Sequence, residues 1–149
     1  MSELNELYQE IILEHNKHPR NYGKLDHPTH KAEGYNPMCG DHYSIYLNVE
    51  NNIIKDITFE GAGCAISKSS ASLMTQNLKG KTVEEAKRIF GEFHDMLTKE
   101  DDCVEVPEDI CTVEPLKGVR EFPTRIKCAT LIWHTMKNAL EKKEEDQNK

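Results

Sequence analysis

Three cysteines in unlike settings carry most of the chemistry this chain could perform. Cys39 lies in Asn36-Pro37-Met38-Cys39-Gly40-Asp41, Cys64 closes Gly61-Ala62-Gly63-Cys64, and Cys128 closes Arg125-Ile126-Lys127-Cys128. A glycine, a carboxylate or a cation beside each thiol is the setting in which a thiolate forms, and the thiolate binds metal or carries sulfur. Asp41 stands two residues from Cys39 across a glycine, so both side chains can reach one cation. Glycine and aspartate at that point are equally ordinary turn residues. Three thiolates and one carboxylate make an S₃O donor set suited to zinc, or to iron in a sulfide cluster. The sequence holds no Cys-x-x-Cys pair. Any shared site must therefore be assembled by folding distant segments together.

Each thiol also has a purely structural reading. Cys64 can be a small buried hydrophobe after a tight Gly-x-Gly turn, and Cys128 an interior residue of an amphipathic helix. If a strand leads through that turn into a helix, the helix amides would instead favour the Cys64 thiolate. Arg125, three residues before Cys128, shares its helix face, and Lys127 adds a second charge. Cys103 and Cys111 are poorer candidates, because Asp101, Asp102, Glu105 and Asp109 oppose thiolate formation. The His15/His18 and His27/His30 spacings are thin metal signals, the first being a helix end running into Pro19. A Cys–His hydrolase lacks any local nucleophile motif, and Gly61-x-Gly63 is neither a nucleophile elbow nor a nucleotide fingerprint.

Several elements must position these residues. Leu4, Leu7, Tyr8, Ile11 and Ile12 recur at helical spacing and predict a first helix ending by His18-Pro19. Residues 19–41 read as loop with one short strand near 31–35. Tyr43, Ile45, Leu47 and Val49 alternate as in a half-buried strand, and Asn51-Asn52 predicts a hairpin turn into a second strand over 53–59. Gly61 and Gly63 are expected to break that strand. A helix over 65–78 is expected despite three serines that weaken its propensity. Thr82 with Glu85 forms a capping box, ahead of an apolar face of Val83, Ala86, Ile89, Phe90, Phe93 and Leu97. Residues 101–118 show no sustained period and read as an acidic excursion with short turns. A last helix opens at Pro123 or Thr124, with Ile126, Ala129, Ile132, Trp133, Met136 and Leu140 as its stripe, and 141–149 is a solvated charge run.

Composition narrows the class. The 149 residues fit one domain over 1–149, and 37% hydrophobic with 30% charged residues implies a modest core. A net charge of −7 argues against nucleic acid and against anionic membranes as partners. No leader-like pattern or membrane-length apolar run is seen, so a cytoplasmic location with reduced cysteines is expected.

At these motifs the chain resembles the iron–sulfur cluster assembly family of U-type proteins, IscU and SufU, related to the NifU N-terminal domain. The resemblance runs from Leu7-Tyr8-Gln9-Glu10-Ile11-Ile12-Leu13 and His18-Pro19-Arg20-Asn21, through the Cys39 and Cys64 motifs, to Arg125-Ile126-Lys127-Cys128. It implies an α+β fold of the SufE/IscU-like type: a small, mainly antiparallel three-stranded sheet with helices on one face. It implies Cys39, Asp41, Cys64 and Cys128 as metal or cluster ligands, with Arg125 and Lys127 auxiliary. Two departures point to the SufU branch. Lys127 stands where IscU has a histidine, and a protonated lysine cannot ligate. The interval from Cys64 to Cys128 is also longer than in IscU. The implied function is a zinc-dependent sulfur carrier, taking persulfide sulfur on Cys39 from a SufS-type cysteine desulfurase and serving downstream Fe–S assembly proteins. Such a protein is a sulfurtransferase-type carrier rather than a stand-alone enzyme. The alternatives are a scaffold holding a transient Fe–S cluster, and a zinc-stabilised module that activates the desulfurase.

Overall fold

The computed structural model describes residues 3–98 and 108–147. Helix α1 (Glu3–Lys17) leads to strands β1 (His30–Asn36), β2 (Asp41–Glu50) and β3 (Ile53–Ala62). Helices α2 (Ala65–Leu78) and α3 (Val83–Thr98), a 3-10 helix (Glu108–Glu121) and helix α4 (Pro123–Gln147) follow. The strands form one antiparallel sheet in the order β1-β2-β3, the sheet the sequence predicts. Asn51 and Asn52, both at positive φ, make the β2–β3 turn, as asparagine tolerates.

Strand phase decides which side chains reach the core. On β2, Asp41, Tyr43, Ile45 and Leu47 are buried on one face. The β2–β3 register shifts between Asn48 and Val49 of β2, leaving Lys55 of β3 as an extra, exposed residue. That bulge brings Ile54 onto the buried side with Ile57 and Phe59, which strict alternation would forbid. Helices α2 and α4 pack on this sheet, α4 against β1 and β2 and α2 against β3. A stacked Phe93–Trp133 pair, centroids 4.2 Å apart, ties α3 to α4. The capping box forms as expected: Thr82 N donates to Glu85 and Glu85 N to the Thr82 hydroxyl, at 3.2 and 3.1 Å.

Three local expectations need correcting. Gly61 does not break β3, for it pairs with Tyr43 inside the ladder. The acidic excursion is, over its described part, a 3-10 helix whose Val113, Leu116 and Val119 are buried. A three-residue turn stacks those positions on one face, a period that neither the α-helical nor the strand pattern detects. Cys103 lies outside the described residues, as does the side chain of Cys111. Helix α4 also continues to Gln147, beyond the end of its apolar stripe.

The serines of α2 are structural. Ser70 donates to Ala129 O at 2.5 Å and accepts from Trp133 Nε1 at 3.1 Å, so a small hydroxyl joins α2 to α4. On the other side, buried His15 of α1 meets the Ser72 hydroxyl at 2.7 Å, and Arg20 N donates to that hydroxyl. Burial lowers the His15 pKa, Arg20 lowers it further and Glu14 opposes the shift. The neutral imidazole is therefore the form the fold holds. Its contribution is complete above about pH 6.5 and is lost as pH falls towards the lowered folded value. Urea midpoints should decline on acidification through that range, and His15→Gln should decline less steeply than the parent chain.

Candidate metal centre

The β1–β2 connection is four residues long, because Asn36 pairs with Asp41. Pro37 fills the second position of a turn in which Cys39 N donates to Asn36 O at 3.3 Å, its preferred place. Gly40, at φ 71, returns the chain into β2. Asp41 then enters β2 in phase with Tyr43 and is fully buried. Cys64 is the N-cap of α2, with extended φ −73 and ψ 169, and its sulfur accepts the Ser67 N–H at 3.5 Å. Cys128 sits in the second turn of α4, fully buried.

These segments converge. The donor atoms of Cys39, Asp41 and Cys128 all lie within 4.8 Å of one another. The Cys39 and Cys128 sulfurs are 2.9 Å apart, and both residues, like Cys64, are free thiols. Cys64 is not in this tightest group but adjoins it: its backbone N donates to Asp41 Oδ1 at 2.9 Å. Arg125 is exposed, and its guanidinium feels the charge of the cluster. Cys64 and then Cys128 hold its pKa up, by charge and by hydrogen bonding. Lys127 is not part of the cluster. It lines an open groove of about 260 Å³ between the end of β1 and α4, with Asn36, Tyr35 and His134.

Three residues that sequence reasoning missed hold the site in shape. Ser67 donates to Asp41 Oδ1 at 3.1 Å and contacts the Tyr43 hydroxyl at 2.9 Å. Burial pushes the Tyr43 pKa up to about 12, so its hydroxyl stays neutral and keeps its proton. Asn36, the third, spans the loop and α4. The positional signals were present, Tyr43 sharing the strand phase of Asp41 and Ser67 standing three residues past the Cys64 cap. Nothing in the sequence pattern showed that the two hydroxyls meet.

The donor chemistry suits a cation. Asp41 has one oxygen pinned by two hydrogen bonds, while Oδ2 is buried with no hydrogen-bond partner among the described residues. A buried, unpartnered carboxylate oxygen is costly unless something positive satisfies it. Burial pushes the Cys128 thiol pKa upward, and Cys39, Cys64 and Asp41 push it further. A buried Cys128 thiol crowded by the other thiols and a carboxylate resists ionising, and a divalent ion removes the conflict. Soft sulfurs with one hard oxygen match zinc in ligand type.

Comparison with known proteins places the chain in a family. The model of the NifU-like N terminal domain matches residues 7–148. The zinc-dependent sulfurtransferase SufU of Bacillus subtilis (strain 168) is 42% identical over 143 residues, covering 95% of this chain and 94% of that one. The iron–sulfur cluster assembly scaffold protein IscU of Streptococcus pyogenes serotype M1 is 37% identical over 142 residues, covering 95% and 87%. Among solved structures, FiSufU of Fervidobacterium islandicum AW-1, assigned as an iron–sulfur cluster assembly scaffold protein for the SUF system, superposes with a TM-score of 0.81. It is 31% identical, with 91% of this chain and 98% of that one covered. The chain belongs to the NifU-like N terminal domain family and matches its SufU and IscU members along nearly its whole length.

Proposed function

We propose that this protein is a zinc-dependent sulfur carrier of iron–sulfur cluster assembly, accepting persulfide sulfur from a SufS-type cysteine desulfurase. The observation that carries the reading is the convergence of Cys39, Asp41 and Cys128, with Cys64 beside them and a buried carboxylate oxygen unpartnered. Cys39, Asp41, Cys64 and Cys128 are the zinc ligands in this reading. Bound there, zinc supplies a redox-silent charge that keeps the sulfurs deprotonated near neutral pH.

The chain's own groups then divide the work. Cys39 lies on a loop flanked by Pro37 and Gly40, and Met38 beside it is 70% exposed. Its thiolate attacks the outer sulfur of the desulfurase persulfide. One S–S bond forms as another breaks, and the desulfurase cysteine leaves as thiolate with the bonding pair, without net oxidation. Cys64 and Cys128, held by α2 and α4, stay in place. Arg125, exposed beside both, offers a guanidinium to the anionic persulfide. Lys127 faces the neighbouring groove. The carrier is a single domain over 1–149, works in the cytoplasm, and passes sulfur to downstream Fe–S assembly proteins. Among the described residues no helix is long and apolar enough to cross a membrane.

Similarity to IscU favours a second reading, a scaffold on which a cluster forms transiently. Against it stands Lys127, which cannot ligate and is turned to the groove. One experiment separates the two. Zinc-loaded protein is mixed with desulfurase and cysteine, and persulfide is located by mass spectrometry in single Cys→Ser variants. Cys39→Ser should lower sulfur uptake at least about a hundredfold. Uptake at the parent rate would refute the assignment of Cys39, and a stable cluster absorbance transferable to an apo acceptor would favour the scaffold.

A further inference from the structure

We infer that Asn36 is a positioning residue that makes the cysteines of the site unequal, holding the Cys39 loop with one end of its carboxamide and damping the Cys128 sulfur with the other. The inference deepens the sulfur-carrier reading and rests on its ligand set. Asn36 is only 8% exposed and ends β1, directly before the loop that carries Cys39. Its Oδ1 accepts the Met38 N–H at 3.3 Å, and its backbone oxygen accepts the Cys39 N–H at 3.3 Å. Its Nδ2 donates to Cys128 Sγ at 3.9 Å.

The orientation of the amide follows from its neighbours. A backbone N–H can only donate, so the carboxamide atom facing Met38 must be the oxygen. That leaves the NH₂ group turned to the sulfur of Cys128. One side chain thus links two segments 92 residues apart.

The hydrogen bonds to the three sulfurs are unlike. Cys64 Sγ accepts the Ser67 N–H, Cys128 Sγ accepts Asn36 Nδ2, and the Arg125 guanidinium reaches both. Among the described residues Cys39 Sγ has no N–H donor, its hydrogen bond being the one from the Cys128 thiol. An N–H donor withdraws charge from a thiolate and lowers its tendency to attack, while steadying it as a ligand. Cys39 therefore keeps the most nucleophilic sulfur, on the segment least fixed by secondary structure. Cys64 and Cys128 are the retained pair. The asymmetry lies in the donors around the sulfurs and needs no difference in the cysteines themselves.

The test uses the full chain loaded with Co²⁺ alone, whose thiolate-to-metal charge-transfer band reports electron density on sulfur. Asn36→Ser keeps a hydroxyl that can accept the Met38 N–H but is too short to donate to Cys128. Asn36→Asp keeps the shape and the acceptor and replaces the donor by an oxygen. Both should move the band to lower energy, and in Asn36→Ser, which adds no charge, Co²⁺ affinity should fall about tenfold. A band unmoved in either folded variant would overturn the inference. So would complete loss of Co²⁺ from both, which would mean Asn36 only builds the loop. Sulfur uptake by Cys39→Ser at the parent rate would refute the assignment of Cys39 as acceptor while leaving this band shift untouched, so the two failures are distinguishable.

Discussion

Alanine at Gly61 should lower stability by at least about 3 kcal/mol, which for a chain of this length is a fall in Tm of roughly 10 °C. Gly61 sits inside the β2–β3 ladder opposite Tyr43 at φ 138, a conformation that residues with a Cβ rarely adopt. A Cβ built there overlaps the His42 carbonyl oxygen and lies 2.8 Å from Tyr43 Cα and 3.0 Å from its ring. The first two obstacles are backbone in the central strand, so no rotamer change relieves them. Tyr22 adds to the loss. Its hydroxyl donates to Gly61 O at 2.9 Å and accepts Gly61 N at 3.2 Å, clasping the edge strand from outside. Urea and thermal unfolding followed by circular dichroism would measure the effect. A loss under about 1 kcal/mol would mean that β3 can bend away from β2 there, contrary to the tight packing seen.

Gly61 also illustrates where sequence pattern loses its grip. A glycine in a strand pattern reads as an interruption, whereas here the absence of a side chain lets two strands approach. Alternation placed Tyr43, Ile45 and Leu47 on one buried face, and the 3.6-residue period placed Ile89, Phe93, Trp133 and Met136 in the core. Those patterns depend on each element's own residues. The bulge at Lys55, the three-residue period of Val113, Leu116 and Val119, and the polar joint of Ser70 depend on what packs opposite. The candidate site divides along the same line. Its cysteines and Asp41 are recognisable from residue type and motif, because ligating chemistry needs those types. Asn36, Ser67 and Tyr43 are ordinary residues whose roles arise from hydrogen bonds across 92, 26 and 24 positions. Lys127 reads as a non-ligand from its residue type, while the groove it lines exists only in the fold.

Gly63→Ala should have the opposite profile: a small change in the fold and a large change at the metal. A Cβ at Gly63 would lie 2.5 Å from Asp41 Oδ1, 2.5 Å from Ser67 Oγ and 2.7 Å from the Tyr43 hydroxyl. All three are side-chain atoms, so the clash is relieved by rotation and the backbone need not move. The rotation dismantles the clamp on Asp41. Oδ1 gives up Cys64 N and the Ser67 hydroxyl, and the carboxylate no longer holds an oxygen beside Cys39 and Cys128. Groups that orient a ligand are worth about 10- to 100-fold in metal affinity, and here two hydrogen bonds are lost together, so we expect a fall of about a hundredfold. Competition with a chromophoric chelator would read zinc affinity, and urea unfolding of the metal-free protein would read the fold. Zinc bound as tightly as by the parent chain would show that Asp41 is not a ligand, because no rearrangement around a Cβ at that position leaves its carboxylate where it now stands. The two glycines are two residues apart and would be treated alike by any turn rule. Their contrast is the sharper test of the site, since only a carboxylate aimed by the Ser67–Tyr43 clamp makes one substitution a matter of folding and the other a matter of binding.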